Sequence, residues 1–310
     1  MANPAFQLPI IDLSSSDRIS TAQSIRQACI EYGFFYLINH GVEEELFQRV
    51  FEESRKFFRL PYEEKMKMIR KNYRGYTPLY AEKLDTSLSS KGDSKESFYI
   101  GPLEDIATVG KLNQWPPAEQ LPLWRSTMED YYQRVLNAGK ALLSLVALAL
   151  NLDEDFFEKV GALDKPNGLF RLICYPGELG NGDQQIYGAS AHSDYGTITL
   201  LAAEDVSGLQ VCREKSEQPQ VWEDVHHIRG AFIVNIGDLM ERWTNCLFRS
   251  TMHRVVPTGQ ERYSAAFFFD PNPDCMVECL KSCCSESCPP RYPPIRSGDY
   301  IEERFRLTYI

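Results

Sequence analysis

The stretch His192-Ser193-Asp194-Tyr195-Gly196-Thr197-Ile198-Thr199-Leu200-Leu201-Ala202-Ala203 joins a histidine and an aspartate, spaced two apart, to a short apolar run. Runs of the same kind occupy 169–174, 209–212, 231–236 and 265–269, with Gly, Pro and Asp between them. Many short apolar segments punctuated by turn residues predict the strands of a sandwich or barrel. In an extended chain, positions 192 and 194 point to one face and Ser193 to the other, so both can reach one metal ion.

Upstream the texture is helical. Residues 21–30 read as a helix leading into a buried strand at 33–38, with a turn at Asn39-His40-Gly41. A second helix over 43–58 stops before Pro61, because proline disfavours helix at the residue preceding it. Trp124, Met128, Tyr131, Val135, Ala138, Leu142, Leu145 and Ala149 recur at spacings of four and three, the stripe of an amphipathic helix packed on a core. Residues 72–95 lack periodicity and predict a long loop. The chain thus reads as mostly β with flanking helices: an N-terminal α/β region at 1–110, a helical layer at 111–164, a catalytic core at 165–275 and a C-terminal extension at 276–310.

Bulk properties narrow the function. At 310 residues, with 43% hydrophobic and 25% charged residues, the chain can bury a large core. A net charge of −10 repels a polyphosphate backbone, so nucleic acid is not the expected partner. The basic run Lys65, Lys67, Arg70, Lys71 and Arg74 reads as a solvated helix face. The first residues lack the pattern of a signal peptide, and the longest apolar run is too short to span a bilayer, so no membrane association and a cytoplasmic location are expected. Nine cysteines are then expected to be reduced. Five of them crowd 275–288, but their spacing does not match paired zinc knuckles.

The five histidines stand at 40, 192, 226, 227 and 253. Two imidazoles and one carboxylate on one face of an octahedron suit non-haem Fe(II), because three positions stay open for other ligands. His253, on a later candidate strand, is the expected third ligand beside His192 and Asp194. Nine residues on, Arg262-Tyr263-Ser264 places a guanidinium and a hydroxyl on one face, a pair suited to gripping a carboxylate. His40 falls in a turn and His226-His227 in a polar connection; all three read as non-ligands.

These residues resemble the plant-type 2-oxoglutarate/Fe(II)-dependent dioxygenases, which share their architecture with isopenicillin N synthase. The resemblance runs along nearly the whole chain: Leu8-Pro9-Ile10-Ile11-Asp12-Leu13, Gly33-Phe34-Phe35, Asn39-His40-Gly41 and Phe57-Phe58-Arg59-Leu60-Pro61, then His192-x-Asp194, Gly208-Leu209-Gln210-Val211, Asn235-Ile236-Gly237-Asp238, His253-Arg254-Val255 and Arg262-x-Ser264. It implies a double-stranded β-helix, or jelly-roll, core with an α-rich N-terminal region. It also implies iron held by His192, Asp194 and His253, and 2-oxoglutarate held by Arg262, Ser264 and Tyr175. O₂ is the oxidant and ascorbate the expected reductant.

Ile173 departs from the pattern, since many plant members carry Asn two residues before the tyrosine of Cys174-Tyr175-Pro176. The implied reaction is hydroxylation or desaturation of a small-molecule metabolite, releasing succinate and CO₂, by a monomeric enzyme. Residues 74–80, 92–98 and 292–300 look closer to the plant branch that includes homoarginine hydroxylases than to flavonol or anthocyanidin synthases, and a homoarginine substrate would require an acidic side chain in the pocket. Phe268, on the face of Arg262 and Ser264, and Tyr76 are the expected substrate contacts. The alternatives are an isopenicillin N synthase-type oxidase that needs no 2-oxo acid, and a flavonoid- or hormone-modifying dioxygenase.

Overall fold

The computed structural model describes residues 7–84, 92–103, 113–177, 186–214 and 219–308. In chain order the elements are β1 (Ile10–Asp12), α1 (Arg18–Glu31), β2 (Phe34–Ile38), α2 (Glu44–Phe58), α3 (Tyr62–Met66), β3 (Gly75–Thr77), β4 (Glu96–Ile100), α4 (Trp124–Ala149), α5 (Phe156–Lys159) and β5 (Asn167–Tyr175). There follow β6 (Ala189–His192), β7 (Ile198–Ala203), β8 (Leu209–Cys212), β9 (Trp222–Asp224), β10 (Phe232–Ile236), α6 (Asp238–Trp243), β11 (His253–Val255), β12 (Arg262–Asp270), β13 (Met276–Val277), β14 (Ile295–Arg296) and α7 (Ser297–Thr308).

Eight strands form one large sheet in the order β1-β2-β10-β7-β12-β5-β4-β3, and β6-β11-β8-β9 form a smaller one. The two are the layers of a jelly roll. Alternation along β12 explains how its nearly continuous apolar run is used. Tyr263, Ala265, Phe267 and Phe269 join Phe170, Leu172 and Cys174 of β5 in the core shared with α1, α2 and α4. Ala266, Ile173 and Tyr175 belong instead to the core between the sheets, with Phe34, Ala189, Leu209, Val211 and Val255. Both faces of this strand are covered, so from Ala265 to Phe269 its sequence shows no polar alternation.

The N-terminal region is not a separate unit, because β2 pairs with β10 and β4 with β5 in the same sheet as the catalytic strands. Gly33 enters β2 at φ +67°, and a Cβ there would meet the Arg249 carbonyl oxygen at 2.3 Å, so only glycine fits. Strand β4, which the irregular texture of 72–95 and its surroundings hid, is anchored from the basic run. Lys65 is buried and its Nζ donates to Glu96 at 2.6 Å and to the Phe58 carbonyl at 2.9 Å. Arg74 is buried as well, so the expectation of a wholly solvated basic face is corrected: Lys65 and Arg74 belong to the interior. Among the described residues no helix is long and apolar enough to cross a membrane.

Candidate functional site

Cross-strand pairing assembles the metal ligands. β6 and β11 run antiparallel with His192 opposite His253, and their ring centroids lie 4.3 Å apart. Asp194 follows two residues after β6 and points back between them. Its Oδ1 lies 3.8 Å from His192 Nε2 and 3.7 Å from His253 Nε2. One ligand atom from each residue fits within 4.8 Å of the others, the sole such His/Cys/Asp/Glu group among the described residues. Its chemistry fits Fe(II): two imidazoles, one carboxylate, on one side.

The surroundings fix which atoms face the metal. His192 Nδ1–H donates to the Ser190 carbonyl at 2.7 Å and His253 Nδ1–H to the Thr251 carbonyl at 3.2 Å. A carbonyl only accepts, so both Nε2 atoms are left with free lone pairs. Asp194 Oδ2 accepts from Thr199 Oγ1 at 2.6 Å and Asn235 Nδ2 at 2.7 Å, which leaves Oδ1 for the ion. Burial, with His253 beside it, pushes His192 down to about 4 and keeps it neutral. Burial works against the Asp194 charge, but His253, His192 and the bonds from Thr199 and Asn235 outweigh it and hold the carboxyl below its ordinary range. His192 as a neutral imidazole and Asp194 as a carboxylate are the forms in which these side chains bind a metal.

Two cavities meet at this point. The first is lined by His192, Asp194 and His253 and extends to Tyr175, Ile173, Arg262 and Ser264. Register places Arg262 opposite Tyr175 and Ser264 opposite Ile173. The Arg262 guanidinium sits 5.0 Å from the Tyr175 ring centroid. Its Nε and Nη1, and Ser264 Oγ, are buried without a hydrogen-bond partner. A buried guanidinium in that condition is costly unless an anion completes it. Ile173 supplies no polar atom at the position where Asn is common, so the hydroxyl of Ser264 has no competing partner across the strand.

The second cavity shares His192, Asp194, Arg171 and Phe268 with the first and is walled by Leu84, Tyr99, Leu169, Ile301 and Phe305. Phe268 lies where alternation predicts. Tyr76 does not: it is 1% exposed, packs on Phe57 and donates its hydroxyl to Glu96 at 2.5 Å, because pairing of β3 with β4 turns it into the helix-side core. It lines neither cavity.

Comparison with known proteins follows the same lines. Residues 8–118 match the family described as non-haem dioxygenase in morphine synthesis N-terminal, and residues 166–271 match the 2OG-Fe(II) oxygenase superfamily. A Citrus sinensis protein named Kihadalactone A synthase is 43% identical over 311 residues, covering 98% of this chain and 92% of its own. The chain belongs to the 2OG-Fe(II) oxygenase superfamily. Azadirone synthase of Melia azedarach is 42% identical, with 97% and 92% covered. A full-length Neurospora crassa enzyme solved with alpha-KG superposes with a TM-score of 0.87 at 29% identity, covering 100% of this chain and 98% of that one. JOX2, solved with 2OG, Fe and JA, gives a TM-score of 0.79 at 30% identity, with 98% and 85% covered. This oxygenase is accordingly an oxidoreductase that uses Fe(II) and 2-oxoglutarate on a small molecule.

Several residues of the oxygenase site are given no role by the sequence reading. Thr199 and Asn235 orient Asp194; alternation along β7 and β10 is the signal that they face inward. Ile301 and Phe305 come from α7, at the far end of the chain. Asp270 continues the inward row Arg262, Ser264, Ala266, Phe268 and lines the second cavity. Its Oδ1 is buried without a partner, and burial, then the charge of Asp194, pushes the carboxyl up to about 7. The folded value lies above the unfolded one, 3.8, so stability is full below pH 3.8 and is lost as pH rises toward 7. In metal-free protein the stability advantage of Asp270→Asn over wild type should grow by about 2–3 kcal/mol between pH 5 and pH 8. Chemical denaturation at the two pH values checks this; an advantage independent of pH would show that Asp270 does not titrate as described.

Proposed function

We propose that Arg262, Ser264 and Tyr175 bind the distal carboxylate of 2-oxoglutarate, and that the substrate is a small molecule with an apolar body, oxidised at a C–H bond held against Phe268. The observation that carries this reading is the meeting of two cavities at His192 and Asp194, one ending on a buried guanidinium, the other walled by Leu84, Leu169, Phe268, Ile301 and Phe305. Bound Fe(II) with 2-oxoglutarate supplies activated O₂; the balance is substrate, 2-oxoglutarate and O₂ giving hydroxylated substrate, succinate and CO₂. The chain's own part is to hold the co-substrate at the inner end of the site, to exclude water with the apolar wall, and to orient one C–H bond.

Homoarginine gains no support. Of the acidic side chains at the second cavity, Glu82 is already engaged by Lys95 Nζ at 3.1 Å and by Arg171. Asp270 alone, whose charge is opposed by burial and by Asp194, is a poor receptor for a guanidinium. The names of the two relatives that match over nearly the whole chain also point to other products, and the apolar wall agrees with them. Succinate release by Fe(II)-loaded enzyme, measured with a polycyclic lactone, a flavanone, an indole acid and homoarginine, tests the reading. Stimulation by the apolar polycyclic compounds is expected; stimulation by homoarginine alone would overturn the substrate class.

A further inference from the structure

Four charged side chains are buried together behind the metal site: Glu82, Asp93, Lys95 and Arg171, each no more than 6% exposed. Lys95 Nζ donates to Asp93 Oδ2 at 2.8 Å and lies 3.1 Å from Glu82 Oε2; Glu82 also pairs with Arg171, whose Nη2 donates to Ser97 Oγ at 3.1 Å. Two positive and two negative charges cancel. Desolvating four ions nonetheless costs several kcal/mol each before pairing returns it, and apolar side chains of similar volume would serve a core at least as well. What the cluster touches gives it a use.

Asp93 Oδ1 accepts from the Ser190 backbone N–H at 3.1 Å and from Ser190 Oγ at 2.6 Å. The carbonyl of that same Ser190 accepts the Nδ1–H of His192 at 2.7 Å. One carboxylate thus grips both donors of the residue whose carbonyl aims the imidazole. The other imidazole is held differently: Thr251, whose carbonyl accepts from His253 at 3.2 Å, is tied by its Oγ1 only to the neutral carbonyl of Tyr32 at 2.7 Å. Glu82 and Arg171 line the second cavity, and Lys95 and Arg171 line the first, so the cluster lies along both chambers.

We propose that Asp93 is a positioning residue for the metal centre, acting through Ser190 on His192, and that Lys95 holds it in place. The two bonds from Ser190 to Asp93 fix where that residue and its carbonyl sit, and the carbonyl, by accepting His192 Nδ1–H, fixes the direction of the Nε2 lone pair. Loss of such an outer partner typically weakens metal binding 10- to 100-fold. The inference is independent of the substrate and needs only the triad as metal site.

The test uses Co(II) alone as the probe, titrated anaerobically into the full metal-free chain. Asp93→Asn should raise the Co(II) dissociation constant roughly 10- to 100-fold and shift the visible d–d bands, while Ser190→Ala, which keeps the backbone bond, gives a smaller change in the same direction. Unfolding temperatures of the metal-free variants serve as the structural readout. Lowered unfolding temperatures with Co(II) affinity and band positions both at wild-type values would overturn the proposal and leave the cluster a fold element. Should Asp93→Asn fail to fold, Ser190→Ala decides alone: an unchanged Co(II) affinity and spectrum overturns the proposal.

Discussion

Asp194→Ala should leave the oxygenase unable to retain Fe(II) and should lower succinate release by at least about a thousandfold, beyond the 10- to 100-fold that follows loss of an outer partner. The reason is geometric. Asp194 Oδ1 faces both Nε2 atoms at under 4 Å and is the only negative charge among the three ligands, while Thr199 and Asn235 hold its other oxygen. Only the two imidazoles remain in the variant, with no negative charge to oppose that of the ion. Metal content after anaerobic loading and dialysis reads the effect directly. Retained iron with wild-type turnover would remove Asp194 from the site.

Arg262→Leu should act in opposite directions on co-substrate and on stability. Truncating one partner of a buried charge pair costs about 2–5 kcal/mol, so the KM for 2-oxoglutarate should rise by roughly 30-fold or more. The same change removes a guanidinium whose Nε and Nη1 are buried without partners, and burial already draws its pKa down. The metal-free, co-substrate-free variant should therefore unfold about 1–3 kcal/mol later than wild type. A KM at the wild-type value would place the carboxylate elsewhere. Equal destabilisation in every state would mean that Arg262 is an ordinary core partner.

How legible this was varied with the kind of pattern. The spacing of four and three from Trp124 to Ala149 gives α4 outright, and alternation at 192, 194, 262, 264 and 268 gives the inward faces. The His253 partnership follows from a register, His192 opposite His253, that no local pattern encodes. Tyr76 fell on the wrong side because a three-residue strand inside an irregular stretch offers no phase to read. Lys65, Arg74 and Lys95 are lysines and arginines in a polar-looking sequence; only the fold reveals the carbonyls and carboxylates that receive Lys65 and Lys95 in the interior. Asp270 was reachable, two residues beyond Phe268, but its neighbour Asp194 is distant in sequence.

The most direct test of the account is release of CO₂ from 2-oxoglutarate labelled at C1, on adding O₂ to Fe(II)-loaded protein with no other substrate. The account predicts slow release from wild type, matched by succinate, none from Asp194→Ala, and recovery in Arg262→Leu only at high 2-oxoglutarate. Release that persists undiminished in Asp194→Ala, or no binding of 2-oxoglutarate by the iron-loaded wild type, would contradict it.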